Sequence, residues 1–189
     1  MPKEIEIQVR LTTASPLIKT LGIDGLFQYE KRQVDEYYIP PHRDFTGVRP
    51  IKEWLRLRDA SGAYSLNYKN WHYDADGKSD YCDEYETPLQ DIEQARNIFT
   101  ALNYKKIVTV DKVRKAWLYQ DWEVAIDRIQ GLGDFVEIEY KGSANPDPRA
   151  ETKKMVAWLK SIGVENIERN YLGYPFQLLF PGEVEWEEM

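Results

Sequence analysis

Glu4-Ile5-Glu6-Ile7-Gln8-Val9-Arg10-Leu11 alternates apolar and polar side chains without a break. Successive side chains of an extended chain point to opposite faces, so period two marks a strand with two unlike sides. Ile5, Ile7, Val9 and Leu11 form one side; Glu4, Glu6, Gln8 and Arg10 form the other. The second side is charged rather than merely polar, and that feature returns along the chain.

Trp54-Leu55-Arg56-Leu57-Arg58-Asp59 alternates again, and Ala60-Ser61-Gly62 supplies a hairpin turn into a partner strand over 63–71 that carries Lys69. Asp74-Ala75-Asp76-Gly77 is a second turn, leading to a strand over 80–87 with Asp83, Glu84 and Glu86. An aromatic strand is predicted at 26–39, a kinked or divided one at 104–119, and further strands at 122–129 and 134–141. Gly131-Leu132-Gly133-Asp134 joins the last two; without a strand-to-helix setting it is a hairpin connection, not a phosphate loop. The pattern predicts a helix over 15–22, with Ser15 as N-cap, Pro16 in the first turn and Gly22 as the stop. A second helix is predicted over 88–103, opened by Pro88, with Leu89, Ile92, Ala95, Ile98, Phe99 and Leu102 at helical spacing. A third covers 150–162. Residues 176–180 read as a short strand and 181–189 as a frayed acidic tail. Short turns between most strands imply antiparallel pairing. The chain shows no repeat, linker or low-complexity tract, which predicts a single domain over 1–189.

Charge recurs at period two on strand after strand: Arg56 and Arg58, Asn67 and Lys69, Glu84 and Glu86, Lys112 and Arg114, Asp127, Glu137 and Glu139. Two arrangements fit. The charged faces point to water and pair across strands, each pair contributing about 0.2–1 kcal/mol. Or the sheet curls and they meet in a lumen. Buried charge is tolerated only when paired or bound to metal or ligand. A lumen lined by both signs would therefore suit a metal cation together with a polyanion, and a triphosphate with Mg²⁺ or Mn²⁺ meets both needs. Alternation alone leaves both arrangements open.

Composition narrows the function. The net charge of −7 makes the chain a poor general partner for nucleic acid, which needs a basic surface. It can still hold a polyanion where Lys and Arg are concentrated in one cleft. The single cysteine, Cys82, excludes an intrachain disulfide and fits a reducing compartment. Residues 1–6 carry no apolar signal region, and no window approaches the length of a membrane span. A cytoplasmic protein is expected. His42 and His72 are too few for a histidine-based metal site.

Several elements stand in a recognisable order: Glu4-x-Glu6, Leu55-Arg56-Leu57-Arg58, Tyr68-Lys69, Glu84 and Glu86, Asp111-Lys112-Val113-Arg114, and the run from Ile126 to Glu139 in which an Asp strand, a Gly-Leu-Gly turn and a Glu strand follow one another. In that order they resemble the CYTH family, whose members include class IV adenylyl cyclases and thiamine triphosphatases. The resemblance spans residue 4 to about residue 140. It implies an α+β fold: a closed or nearly closed antiparallel tunnel of about eight strands, with helices packed outside.

Carried over position by position, the resemblance makes Glu4, Glu6, Glu137, Glu139 and Asp127 metal-site residues for Mg²⁺ or Mn²⁺. Arg56, Arg58, Lys69, Lys112 and Arg114 become a triphosphate clamp, joined by Arg10. Lys112, Arg114 and Asp127 are the catalytic candidates. The implied activity is conversion of ATP to cyclic AMP and pyrophosphate. The alternatives are hydrolysis of thiamine triphosphate, inorganic triphosphate or a nucleotide, and non-catalytic binding of nucleotide or polyphosphate. Monomer and homodimer both stay open. The sequence departs from the family pattern at Gln8, where a Lys is expected, and at Cys82, where many relatives carry Arg.

Overall fold

The computed structural model describes residues 3–189. The strands are β1 (Lys3–Glu4), β2 (Glu6–Leu11), β3 (Leu26–Ile39), β4 (Glu53–Ala60), β5 (Ala63–Tyr73), β6 (Ser79–Leu89), β7 (Lys105–Tyr119), β8 (Trp122–Ile129), β9 (Gly133–Tyr140), β10 (Ile167–Arg169) and β11 (Glu187–Glu188). The helices are α1 (Ser15–Asp24), α2 (Ile92–Ala101), α3 (Pro148–Ser161) and α4 (Tyr174–Leu179). All eleven strands lie in one sheet, in the order β1-β6-β5-β4-β3-β7-β8-β9-β2-β10-β11, and every pairing is antiparallel.

That order hides a near-closure. β1 and β2 are one chain segment broken only at Ile5. β1 pairs with β6 through Glu4↔Cys82, while β2 pairs with β9 through Glu6↔Glu139. The first strand thus lends its two ends to the two edges of a seven-stranded wall, as its eighth strand, and the sheet curls into a tunnel. Side chains two apart share a face, so the alternation in the sequence becomes an inside and an outside.

The outer, apolar face is covered by helices. Ile7, Val9, Val124, Val136 and Ile138 pack against Leu17 and Leu21 of α1 and against Met155, Val156 and Leu159 of α3. Tyr38 and Leu57 pack against Ile92 and Phe99 of α2. One end of the lumen is also apolar. There the charged periodicity gives way to Tyr37, Trp54, Val110, Ile129 and Phe135, and α4 seals that end with Tyr174 and Phe176.

Several boundaries differ from the sequence reading. α2 starts at Ile92, capped by the Asp91 carboxylate, while Pro88 lies on β6 opposite Ser65. Proline is tolerated there because β1 pairs only with Asp83 and Cys82, so this part of β6 has a free edge. α1 begins at Ser15 without a side-chain cap and runs past Gly22 to Asp24. Residues 105–119 form one undivided strand; its pairing with β3 shifts register twice, skipping Ile107 on this strand and Gln28 on β3. Residues 174–179 are helical rather than extended, with Pro175 in the first turn. The tail is not frayed: β11 pairs with β10, and Trp186 packs on Phe135. All three expected turns join antiparallel neighbours, with Ser61 and Gly62, Gly77, and Gly131 and Gly133 at positive φ. Among the described residues, no helix is long and apolar enough to cross a membrane.

Candidate functional site

The lumen encloses a cavity of about 380 Å³. Among the described residues, its wall carries seven Lys and Arg side chains and eight Asp and Glu side chains. Their placement follows from strand register. Arg56 and Arg58 come from β4, Lys112 and Arg114 from β7, and Lys69 from β5; all five line the cavity and all five are largely buried. Five cations in so little space require counterions.

Two buried aspartates supply them. Asp35 on β3 accepts bonds from Arg58 Nε and Nη2 at 2.6 and 2.7 Å, and from Arg56 Nη1 at 3.4 Å. Burial alone would raise its pKa, but the two guanidiniums outweigh that and hold it well below the carboxylate range. Asp127 on β8 is fully buried. It accepts two bonds from Arg114 at 2.7 and 2.6 Å, one from Lys112 Nζ at 3.1 Å and one from the Tyr174 hydroxyl at 3.1 Å. Arg114 takes the larger share of that carboxylate. The Lys112 ammonium, buried and next to Arg114, is accordingly pushed below its usual pKa.

The acidic side of the lumen is built from β1, β2 and β9. Glu137 accepts from Arg114 at 2.7 Å and from the neutral Gln8 Nε2 at 3.4 Å; Arg114, Lys112 and Lys69 hold its carboxyl below the usual range despite burial. Glu4 takes the Lys69 ammonium at 2.6 Å. Glu6 and Glu139 stand opposite each other in register. Desolvation, then Glu4 and Glu137, push the Glu6 carboxyl well up. Desolvation and Glu4 raise Glu139 to about 7, although Lys141 lies at 2.5 Å. This is a set of hard oxygen donors with surplus negative charge.

Most residues expected from the sequence therefore converge: Glu4, Glu6, Glu137 and Glu139 with Arg56, Arg58, Lys69, Lys112 and Arg114. Two do not line the cavity. Arg10 binds Glu168 at 2.7 Å and lies over the Trp186 ring, away from the clamp. Asp127 sits beneath the lining, with Oδ2 accepting from Arg114, Lys112 and Tyr174 and Oδ1 from Arg114, so its contacts are to the clamp. The sequence reading passed over Asp35. Lys31-x-Gln33-x-Asp35 carries the same charged alternation, masked by the length of the aromatic strand.

A nearly closed antiparallel tunnel with a cation clamp facing a carboxylate cluster offers complementary charge to a polyanion and to a metal ion. Comparison with known proteins identifies the family. The family model for the CYTH domain matches residues 2–171. "Putative adenylate cyclase MJ0240" of Methanocaldococcus jannaschii is 31% identical over 173 residues, covering 89% of this chain and 96% of that protein. The structure of the PH1819 protein from Pyrococcus horikoshii OT3 superposes with a TM-score of 0.76 at 25% identity, covering 95% of this chain and 99% of that one. The structure of HpAC1 from Hippeastrum, described as a "putative adenylyl cyclase" that reveals a dominant triphosphatase activity, superposes with a TM-score of 0.68 at 19% identity, covering 96% of this chain and 97% of that one. The chain belongs to the CYTH family.

Membership implies dependence on a divalent cation, and the donor set fits one. Glu6 and Glu139 offer carboxylate oxygens in register, and their raised pKa values record charge that a dication would relieve. No group of three such donors is already gathered to hold a metal among the described residues. Mg²⁺ commonly takes one or two carboxylates and completes its shell with phosphate oxygens and water.

Proposed function

We propose that the chain processes a triphosphate inside this tunnel, first of all as an adenylyl cyclase that converts ATP to cyclic AMP and pyrophosphate. The observation that carries the reading is the convergence of Arg56, Arg58, Lys69, Lys112 and Arg114 on one enclosed lumen whose opposite wall holds Glu6 and Glu139. Preoriented cations stabilise charge that develops on the phosphoryl oxygens and need no reorganisation as it forms. Asp35 holds Arg56 and Arg58 in place, Asp127 holds Lys112 and Arg114, and Glu4 holds Lys69. Arg114 is anchored by two bonds to Asp127, and Lys112, with the weaker hold, is freer to turn toward a phosphate.

Glu6 and Glu139, with Glu137 and Glu4 beside them, would hold Mg²⁺ or Mn²⁺; bound there, the ion would supply Lewis-acid polarisation and acidify an attacking hydroxyl. With the ribose 3′-hydroxyl as nucleophile, the new P–O bond closes the cyclic ester and pyrophosphate leaves. With water as nucleophile, the products are a diphosphate and phosphate. The clamp serves either attack, and the Hippeastrum protein joins both names on one fold, so fold does not choose between them. The name of the M. jannaschii relative supports the cyclase as first reading. The proposed setting is the cytoplasm, with nucleoside triphosphate as partner.

The test is turnover of ATP, GTP, thiamine triphosphate and tripolyphosphate with Mg²⁺ or Mn²⁺, products identified by mass. Cyclic AMP and pyrophosphate from ATP, lost in Glu137→Ala, is the expected result. Phosphate release alone would move the assignment to hydrolysis. Tight ATP binding without turnover would make the protein a sensor.

A further inference from the structure

Beside the main cavity lies a side branch of about 30 Å³, and the two share Glu6, Gln8, Trp71 and Gly173 in their walls. The branch opens where β2 parts from the end of the β5–β6 hairpin, and Arg169 and Asn170 complete it. Arg169 is 6% exposed and Asn170 is 3% exposed. Arg169 makes no ion pair among the described residues. Its partner in register, Glu187, spends its carboxylate on Lys78 Nζ at 2.6 Å and on the Tyr171 hydroxyl at 2.7 Å. The Arg169 guanidinium lies over the Tyr171 ring instead.

Two buried donors at this branch have no acceptor: Arg169 Nε and Asn170 Nδ2. The nearby amides are committed to one another, with Gln177 Nε2 donating to Gln8 Oε1 at 3.3 Å and to Asn170 Oδ1 at 3.4 Å. A buried cation with a spare N–H, next to a second spare N–H, is costly unless an acceptor completes it. A guanidinium whose Nε lacks an acceptor, and whose register partner is bound elsewhere, favours an anionic oxygen in that place.

We infer that this branch is a subsite for the terminal phosphoryl group of a polyphosphate chain lying in the tunnel, held by Arg169 and Asn170. The inference rests on the triphosphate reading above and adds a length gauge to it. A chain long enough to reach past Gln8 gains the Arg169 contact, and a shorter one does not.

Calorimetric titration with tripolyphosphate and with pyrophosphate, in the presence of Mg²⁺, tests it. Arg169→Gln should weaken tripolyphosphate binding at least tenfold and pyrophosphate binding less than twofold. Arg169→Lys should recover most of the loss. Asn170→Ser should show a smaller loss with the same dependence on chain length, which keeps the test available if Arg169→Gln does not fold. Equal weakening for both anions, or no weakening for either, would overturn the subsite while leaving the triphosphate reading intact. Wild-type protein that binds neither anion would overturn both.

Discussion

At the scale of the residue, the tunnel separates two kinds of carboxylate. Asp35 and Asp127 are surrounded by cations and ionise easily; Glu6 and Glu139 face other carboxylates and resist ionisation. Removing the first kind strands buried cations. Asp127→Ala leaves Lys112 and Arg114 with less than their counterion and should cost about 3–5 kcal/mol, read from urea unfolding. Arg10→Ala, by contrast, breaks a pair whose two side chains are each about two-fifths exposed and should change stability by less than about 1 kcal/mol. The second kind sets a pH dependence in the metal-free protein. The folded state keeps a proton on Glu139 up to about pH 7, while the unfolded chain releases it near the ordinary carboxylate pKa. Folding stability should therefore fall as pH rises from about 5 to 7.5, by an amount on the order of 1–3 kcal/mol. Thermal melts across that range should show the decline, and Glu139→Gln should flatten it. A wild-type profile flat from pH 5 to 8 would contradict the assignment of surplus negative charge to this wall.

Elements were legible wherever local pattern and tertiary setting agreed. The strands predicted over 26–39 and 122–129 stand at those bounds, because one face meets helices and the other the lumen. Failures came where an element answers to something distant. Nothing near Pro88 announces that β1 covers only two residues of β6 and leaves an edge that tolerates proline. Nothing near Phe176 announces an apolar tunnel end to be sealed, and a short apolar run does not distinguish helix from strand. Charge at period two marked the polar faces of Glu4-x-Glu6, β4, β7 and β9; the family resemblance, not the alternation, turned those faces toward a lumen. Arg169 was not, because its significance lies in a partner it lacks. α2 offers a clean test of element against site. Asp91 caps it through the amides of Glu93 and Gln94, at 2.9 and 3.1 Å. Asp91→Ala should cost about 1 kcal/mol in thermal or urea unfolding. α2 packs on the outside of the wall, so tripolyphosphate affinity should be unchanged; a parallel loss of affinity would mean that α2 sets the shape of the lumen.

For the whole molecule, the decisive quantity is the charge enclosed by the wall. The chain carries −7 overall, and the lumen itself, with seven cations against eight carboxylates, is close to neutral. The clamp is therefore already spoken for: Lys69 by Glu4, Arg58 by Asp35, Arg114 by Asp127 and Glu137. A triphosphate entering alone must compete with these carboxylates and brings further negative charge beside Glu6 and Glu139. A dication entering alone relieves those two carboxylates but meets the cations across the lumen. Entering together, each neutralises what the other adds. The two ligands should bind with positive coupling, and because coupling is reciprocal, each must raise the affinity for the other by the same factor. Ligand-induced stabilisation reports affinity through mass action. The rise in melting temperature with Mg²⁺ and tripolyphosphate together should therefore exceed the sum of the two separate rises, once binding of Mg²⁺ to tripolyphosphate in solution is allowed for. Glu6→Gln combined with Glu139→Gln removes the acidic wall. It should strengthen binding of tripolyphosphate alone and abolish the coupling. Additive shifts in the wild type, or coupling that survives the double substitution, would place the cation elsewhere than on this wall.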